Sequence, residues 1–225
     1  MDKLSRTFYE KTYENEINKK MLFYSYIFPT EDVLRYTHDV INIPVSQLLE
    51  VVLSMHKEEQ IAPKDVFQFS NLEDATFRVC QVIKEINNPG VNTLEAGNLL
   101  LDDDKKRKKT AIVKYGENHV KTAEAFGLLY ELTHVYFLSC LGCIQDLLSK
   151  EEKKKLLLRL VLRNKLIRNM YVASFNGEVH MRQFLYMLSD STYVRRRSNI
   201  RSILNVLEES DEYNFSEFLS RISFP

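Results

Sequence analysis

Only 6 Gly and 5 Pro are spread over 225 residues, and that scarcity limits the fold more than any other feature. Sandwiches, barrels and propellers need a tight turn every few residues, and Gly and Pro supply the backbone angles such turns demand. A chain this poor in both is expected to be mainly α with minor β. Hydrophobic residues at 44% are enough to build a core, and charged residues at 28% do not push the chain toward disorder. The length suits one large domain or two small ones. No apolar run approaches the roughly 20 residues of a membrane span, and the start MDKLSRTFYEKTYE does not read as a secretory signal. Three cysteines cannot all pair within the chain, which suits a reducing compartment. The expected location is cytoplasmic, with no membrane partner.

Charge is balanced overall, with 31 basic and 31 acidic residues, but it is unevenly placed. Between Lys105 and Asn205 there are 20 basic and 8 acidic residues, and the rest of the chain carries 11 basic and 23 acidic. A partner responds to charge within roughly 8 Å at physiological salt, so a neutral total does not cancel a basic face. A solvated helix surface explains one Lys-rich run; an excess sustained over this distance points to a polyanion-binding surface.

Along the chain, residues 1–30 read as an irregular or partly helical arm whose aromatics (Phe8, Tyr9, Tyr13, Tyr26 and Phe28 among them) pack onto the body. Thr30 caps a helix through Val33 and Tyr36, and Pro44 opens another reaching Met55. Val66 to Phe69 alternates as a short strand would. Asn71 caps a helix with apolar positions at 72, 75, 79, 82, 83 and 86, stopped at Asn87-Asn88-Pro89-Gly90. A short helix from Thr93, a polar run at 102–109, a helix from about Gly116 to Phe126 and a hairpin over Leu128–Leu138 then make the order of a winged helix-turn-helix. Ser149 and Glu152 form a capping box that opens a helix over 150–162. A second helix from Asn164, a short one over Met181–Leu188, a turn at Ser189-Asp190-Ser191 and a long helix over Thr192–Leu207 repeat that order. The expected architecture is therefore tandem winged helix-turn-helix units, with an acidic N-terminal helical region at 1–90, a first unit at 91–148 and a second, winged-helix-like unit at 149–225 whose acidic tail from Glu208, carrying Phe215 and Phe218, packs as a closing helix.

Two groups of residues carry candidate chemistry. Thr192, Tyr193, Arg195, Arg196, Arg197, Asn199 and Arg201 crowd one region of the long helix, where a recognition helix presents itself to the major groove. Arg can bond guanine O6 and N7 together, Asn can do the same to adenine N6 and N7, and further arginines neutralise phosphates. Asn118, His119, Lys121 and Thr122 are expected on the exposed first turns of the earlier helix. Lys106, Arg107 and Lys108, within the run Lys105–Lys109, form a basic loop able to lie on phosphates. A solvated basic helix is the bland alternative for both groups.

Other constellations fall short of chemistry. Cys140-Leu-Gly-Cys143 has half the spacing of a zinc site, but the only further cysteine is Cys80, so packing beside Gly142 is expected. Asp103-x-Lys105, Glu151-x-Lys153 and Glu152-x-Lys154 match the letters of a Mg2+ nuclease motif without a strand to bring a third carboxylate near. No phosphate-cradling glycine loop and no serine elbow occurs.

From about Tyr115 to Leu207 the order of residues resembles a known family. The pieces are Ala125-Phe-Gly-Leu-Leu129, Tyr136-Phe-Leu-Ser-x-x-Gly142, Leu160–Ile167, Asn176-Gly-Glu, and Ser191-Thr-x-x-Arg-Arg-Arg-Ser-x-Ile-Arg-Ser-x-Leu204. Together they are similar to the winged-helix DNA-recognition regions of type II, especially type IIS, restriction endonucleases. That resemblance implies a sequence-specific double-stranded DNA-binding module. A nuclease domain or subunit would be its partner, and Mg2+ would be needed only where such a domain is attached; no cofactor is expected in this chain. A winged-helix transcription regulator or replication initiator, and a helical adaptor whose basic and acidic regions pair between copies as a homo-oligomer, are the alternatives.

Overall fold

The computed structural model describes residues 2–24, 30–55, 57, 60–86, 90–101 and 107–224, and these are mainly helical with two small sheets. Helix α1 (Lys3–Glu10) and helix α2 (Thr12–Tyr24) stand where an irregular or partly helical arm was expected. Lys11 separates them with a φ of 57°, a left-handed angle that no helix residue can hold. Tyr26 and Phe28 lie outside the described residues. Helix α3 (Glu31–Ile41) begins as the sequence predicts, with Thr30 Oγ1 accepting the Val33 N–H at 3.3 Å. Helix α4 (Val45–Met55) follows Pro44.

Val66 to Phe69 is not a strand; its backbone runs irregularly. Asn71 Oδ1 accepts the Glu73 N–H at 2.7 Å and starts a helical stretch. Its first part, Asp74–Arg78, has the wider π-helical winding before α5 (Val79–Glu85) takes over. The expected stop at Asn87-Asn88-Pro89 lies outside the described residues. Strand β1 (Gly90–Val91) leads into α6 (Thr93–Leu100), where Asn92 and Glu95 cap each other's backbone.

Helix α7 (Lys109–Phe126) starts seven residues earlier than expected and ends at Gly127, whose φ of 80° suits a residue without a Cβ. Strands β2 (Leu129–Leu132) and β3 (Val135–Leu138) form the expected hairpin. Thr133 and His134 both take positive φ, as the commonest two-residue hairpin turn requires. Then come α8 (Cys140–Cys143), α9 (Lys150–Arg163) behind the Ser149–Glu152 capping box, and α10 (Lys165–Ser174) behind Asn164. Strand β4 (Val179–His180), α11 (Met181–Phe184), α12 (Asp190–Glu208), α13 (Ser216–Ser220) and β5 (Ile222–Ser223) complete the order.

The chain gathers into two compact units, each assembled from discontinuous stretches. One comprises Lys11–Asp39 and Gln68–Lys153; the other comprises Met1–Glu10, Val40–Phe67 and Lys154–Pro225. This partition cuts across the contiguous division read from the sequence.

In the first of these units, β1 and β2 flank β3 in an antiparallel sheet, with Val91 opposite Tyr136 and Glu131 opposite the same residue on the other side. Helices α6 and α7 cross with their backbones nearly touching. A Cβ on Gly97 would lie 2.2 Å from the Ile112 carbonyl oxygen, and one on Gly116 would lie 2.0 Å from that of Thr93. Two glycines facing each other allow this approach, and it buries Ala96, Leu100, Val120, Ala123 and Phe126.

In the other unit, the aliphatic sides of α4, α9, α10 and α12 are buried, through residues such as Leu48, Leu160, Ile167 and Ile203. Arg159 is buried among them. Its guanidinium donates to both carboxylate oxygens of Glu212, at 2.5 and 2.6 Å, and to the Ile43 carbonyl at 2.7 Å. Strand β5 pairs parallel with β4, Val179 opposite Ile222. No hairpin follows α12 among the described residues. The chain turns back through Phe215 and Phe218, both buried, in a short helical return.

Candidate nucleic-acid interface

Because α7 begins at Lys109, the group Asn118, His119, Lys121 and Thr122 falls in mid-helix and not on its first turns. Gly116, Val120, Ala123 and Phe126 repeat at helical spacing toward the core, and this stripe carries His119 and Thr122 inward with it. Both are buried. His119 Nδ1 lies 2.7 Å from the Tyr115 carbonyl oxygen and Nε2 lies 3.2 Å from Ser70 Oγ. Burial holds its pKa below the ordinary histidine value. Thr122 donates to the Asn118 carbonyl at 2.8 Å. Both were expected on an exposed turn, and the longer helix corrects that placement.

Lys121 is exposed but shares Glu117 with Lys114, at 2.5 and 2.9 Å, and the two ammonium groups hold the Glu117 carboxyl below its usual range. Asn118 is half-buried. The open cations of this helix lie further upstream. Lys108, its N-cap residue, and Lys109 are exposed and meet no carboxylate among the described residues. Thr110 and Ala111 beside them are exposed as well. Arg107 is exposed, while Lys106 lies outside the described residues. Lys109, read from the sequence as part of a basic loop, instead opens the helix, and Thr110 and Ala111 were missed because Gly116 reads as a place for a helix to begin. The spacing of Ile112, Gly116 and Val120 was the signal that the helix runs further back.

Helix α12 presents a different arrangement. Ser189 Oγ caps it by accepting the Thr192 N–H at 3.4 Å, and Arg182 holds Asp190 at 2.6 Å. Its inner stripe is Tyr193, Ile200, Ile203, Leu204 and Leu207, joined by Asn199, which is buried and was expected on the solvent side. Asn199 stands between Arg196 and Ile203 at i−3 and i+4, a spacing that continues the stripe toward the core. Tyr193 is buried, with the Arg182 guanidinium 5.6 Å above its ring. Burial raises its pKa.

Arg196 turns inward too. Its Nη1 donates to the Pro63 carbonyl at 3.0 Å and also to that of Val66, so it ties the irregular 63–66 segment to the helix. Arg197 and Thr192 are half-buried.

What remains outward is Ser191, Val194, Arg195, Ser198, Arg201 and Asn205. Arg195 is held along the helix by the Ser191 carbonyl at 3.2 Å and Thr192 Oγ1 at 3.3 Å. Arg201 lies 4.8 Å over the Phe224 ring. Neither meets a carboxylate among the described residues. The helix thus offers small polar and cationic side chains, with the apolar Val194 among them, along about 20 Å. Arg201, grouped with this cluster from the sequence, belongs to it, whereas Arg196 and Asn199, expected beside it, turn inward.

Elsewhere the chemistry is sparse. No group of three or more His, Cys, Asp or Glu that could hold a metal occurs among the described residues. Cys80, Cys140 and Cys143 are buried and form no disulfide; burial pushes the Cys143 thiol up to about 12. Gly142 sits where a Cβ would strike the Leu128 carbonyl oxygen at 2.1 Å, so this short helix packs tightly against the start of the hairpin. Asp103 and Lys105 lie outside the described residues, and Glu151 to Lys154 lie on α9. No helix among the described residues is long and apolar enough to cross a membrane. No family model matches the chain, and neither does any curated protein or solved structure.

Proposed function

We propose that this chain is a sequence-specific double-stranded DNA-binding protein of winged helix-turn-helix type, serving target recognition in a restriction system. The observation that carries the reading is the outward surface of α12, where Arg195 and Arg201 stand exposed without carboxylate partners among the described residues. Two cations on one helix face with no acid beside them leave a positive field that suits a polyanion. The order α11, a five-residue connection over 185–189, α12 supports a helix-turn-helix, in which the second helix enters the major groove. In the other unit, the order α5, β1, α6, α7, β2, β3 and the sheet order β1-β3-β2 support a winged helix with α7 as its second reader. The restriction part of the reading rests on the resemblance over Ser191–Leu204.

In this mechanism α12 lies in the groove with Ser191, Arg195 and Ser198 toward base edges, while Arg201 neutralises phosphate. Lys108 and Lys109 engage phosphate at the start of α7. Phosphate contacts set register and salt dependence, and base contacts set sequence. Arg196, Asn199 and Tyr193 hold α12 in position from within.

The test is selection of duplexes from a random pool by the full chain at two salt concentrations. A single enriched motif whose affinity falls steeply with salt is expected. Arg195→Ala should cost about 1–3 kcal/mol on that motif, and Lys108→Ala should reduce the salt slope by about 1. No retention even at low salt would end the reading.

A further inference from the structure

We infer that Val194 is a specificity-determining residue that packs against the C5-methyl group of a pyrimidine in the major groove. The inference rests on the DNA-binding reading above. Val194 is 60% exposed, among the most exposed large apolar side chains of the chain. Of the exposed residues between Ser191 and Asn205, it alone carries a wholly hydrocarbon side chain; the others are Ser, Arg and Asn.

Neither core packing nor helix stability accounts for it. It is not buried, and a β-branched residue on an exposed helix face loses side-chain freedom that Ala or Lys would keep. Ser191 and Ser198 are also poor helix formers. Their short side chains let a helix approach its partner closely.

The surroundings decide what kind of partner the isopropyl group meets. Arg195 is its chain neighbour and Arg201 stands two turns on, at i+7, both exposed. An apolar protein surface covering Val194 would strip water from these guanidinium groups without compensating their charge. A nucleic-acid duplex compensates it with phosphates and base acceptors. The hydrocarbon group that a duplex offers in the major groove is the pyrimidine C5-methyl. Thymine carries this group, and so does 5-methylcytosine.

The experiment uses the full chain and the duplex enriched by selection. Each thymine is replaced singly by uracil, and each cytosine singly by 5-methylcytosine. Affinities are then measured for the wild type and for Val194→Ala, whose thermal midpoint should equal or exceed that of the wild type. At one position the methyl group should tighten wild-type binding about fourfold, the worth of one buried methyl, and Val194→Ala should bind both forms equally. A response at a thymine identifies thymine as the source; a response at a cytosine identifies the methylated base. Specific binding with no methyl response anywhere would overturn the inference and leave the DNA-binding reading standing. A response undiminished in Val194→Ala would do the same. No enriched motif at all would overturn both.

Discussion

Replacing Gly116 by Ala sets two effects of opposite sign against each other. Within a helix, Ala is favoured over Gly by about 1 kcal/mol, so propensity alone predicts a more stable protein. The crossing of α6 and α7 predicts the reverse. A Cβ at this position would lie 2.0 Å from the Thr93 carbonyl oxygen and 2.5 Å from the Gly97 nitrogen, where ordinary contact begins at 3.4 Å. Both obstacles are backbone and cannot rotate aside, so the two helices must part by roughly 1 Å or more through a close-packed contact. Overpacking of this kind costs about 1–3 kcal/mol, and an immovable partner places it at the upper end. The expected net loss is about 2 kcal/mol. It should appear as a lower urea midpoint at unchanged slope. Gly97→Ala should behave similarly, and the double variant should lose less than the two singles together, because the first Cβ already parts the helices for the second. A Gly116→Ala protein as stable as the wild type, or more stable, would refute the close crossing.

Three further outcomes are expected. Glu212→Ala leaves the Arg159 charge buried without its carboxylate and should cost about 3–5 kcal/mol in denaturant unfolding; a loss below about 1 kcal/mol would mean Arg159 finds water or another acceptor. His119 has a folded pKa below its ordinary 6.5. As pH falls through about 6.5 the unfolded chain therefore takes up a proton that the folded one refuses, and stability should decline until the folded value is passed. His119→Gln should remove this part of the decline, and parallel profiles for the two proteins would contradict the burial argument. Arg196→Ala should lower the unfolding midpoint by releasing the 63–66 segment, with the same DNA motif enriched; a changed motif would put Arg196 in the groove.

Local signals were legible in the sequence where one residue decides the backbone. Thr30, Asn71, Ser149 and Asn164 each bond the helix N-terminus that follows, and Gly127 ends α7 in a left-handed turn. These depend on neighbours within a few positions. The start of α7 was hidden because Gly116 has the look of a breaker, yet its role is to let another helix close in. The inward turn of Arg196 was hidden for a different reason. Its carbonyl partners at Pro63 and Val66 are more than a hundred residues away, and no local pattern announces them. Asn199 and Tyr193 belong to the same class, since a polar side chain on a basic helix reads as solvent-facing until the packed stripe is known.

The interleaving of the two compact units has a consequence for how the protein is made. The unit containing α7 has all its parts once residue 153 has left the ribosome. The unit containing α12 draws on Met1–Glu10 and Val40–Phe67, which are synthesised early, and on Lys154–Pro225, which come last. Helices α1 and α4 must therefore wait, with their apolar sides uncovered, through the synthesis of nearly ninety intervening residues. A chain interrupted after residue 153 would release one finished unit together with two sticky orphans of the other. Proteolytic or genetic dissection of this protein should accordingly trade function for aggregation wherever the cut falls between α4 and α9.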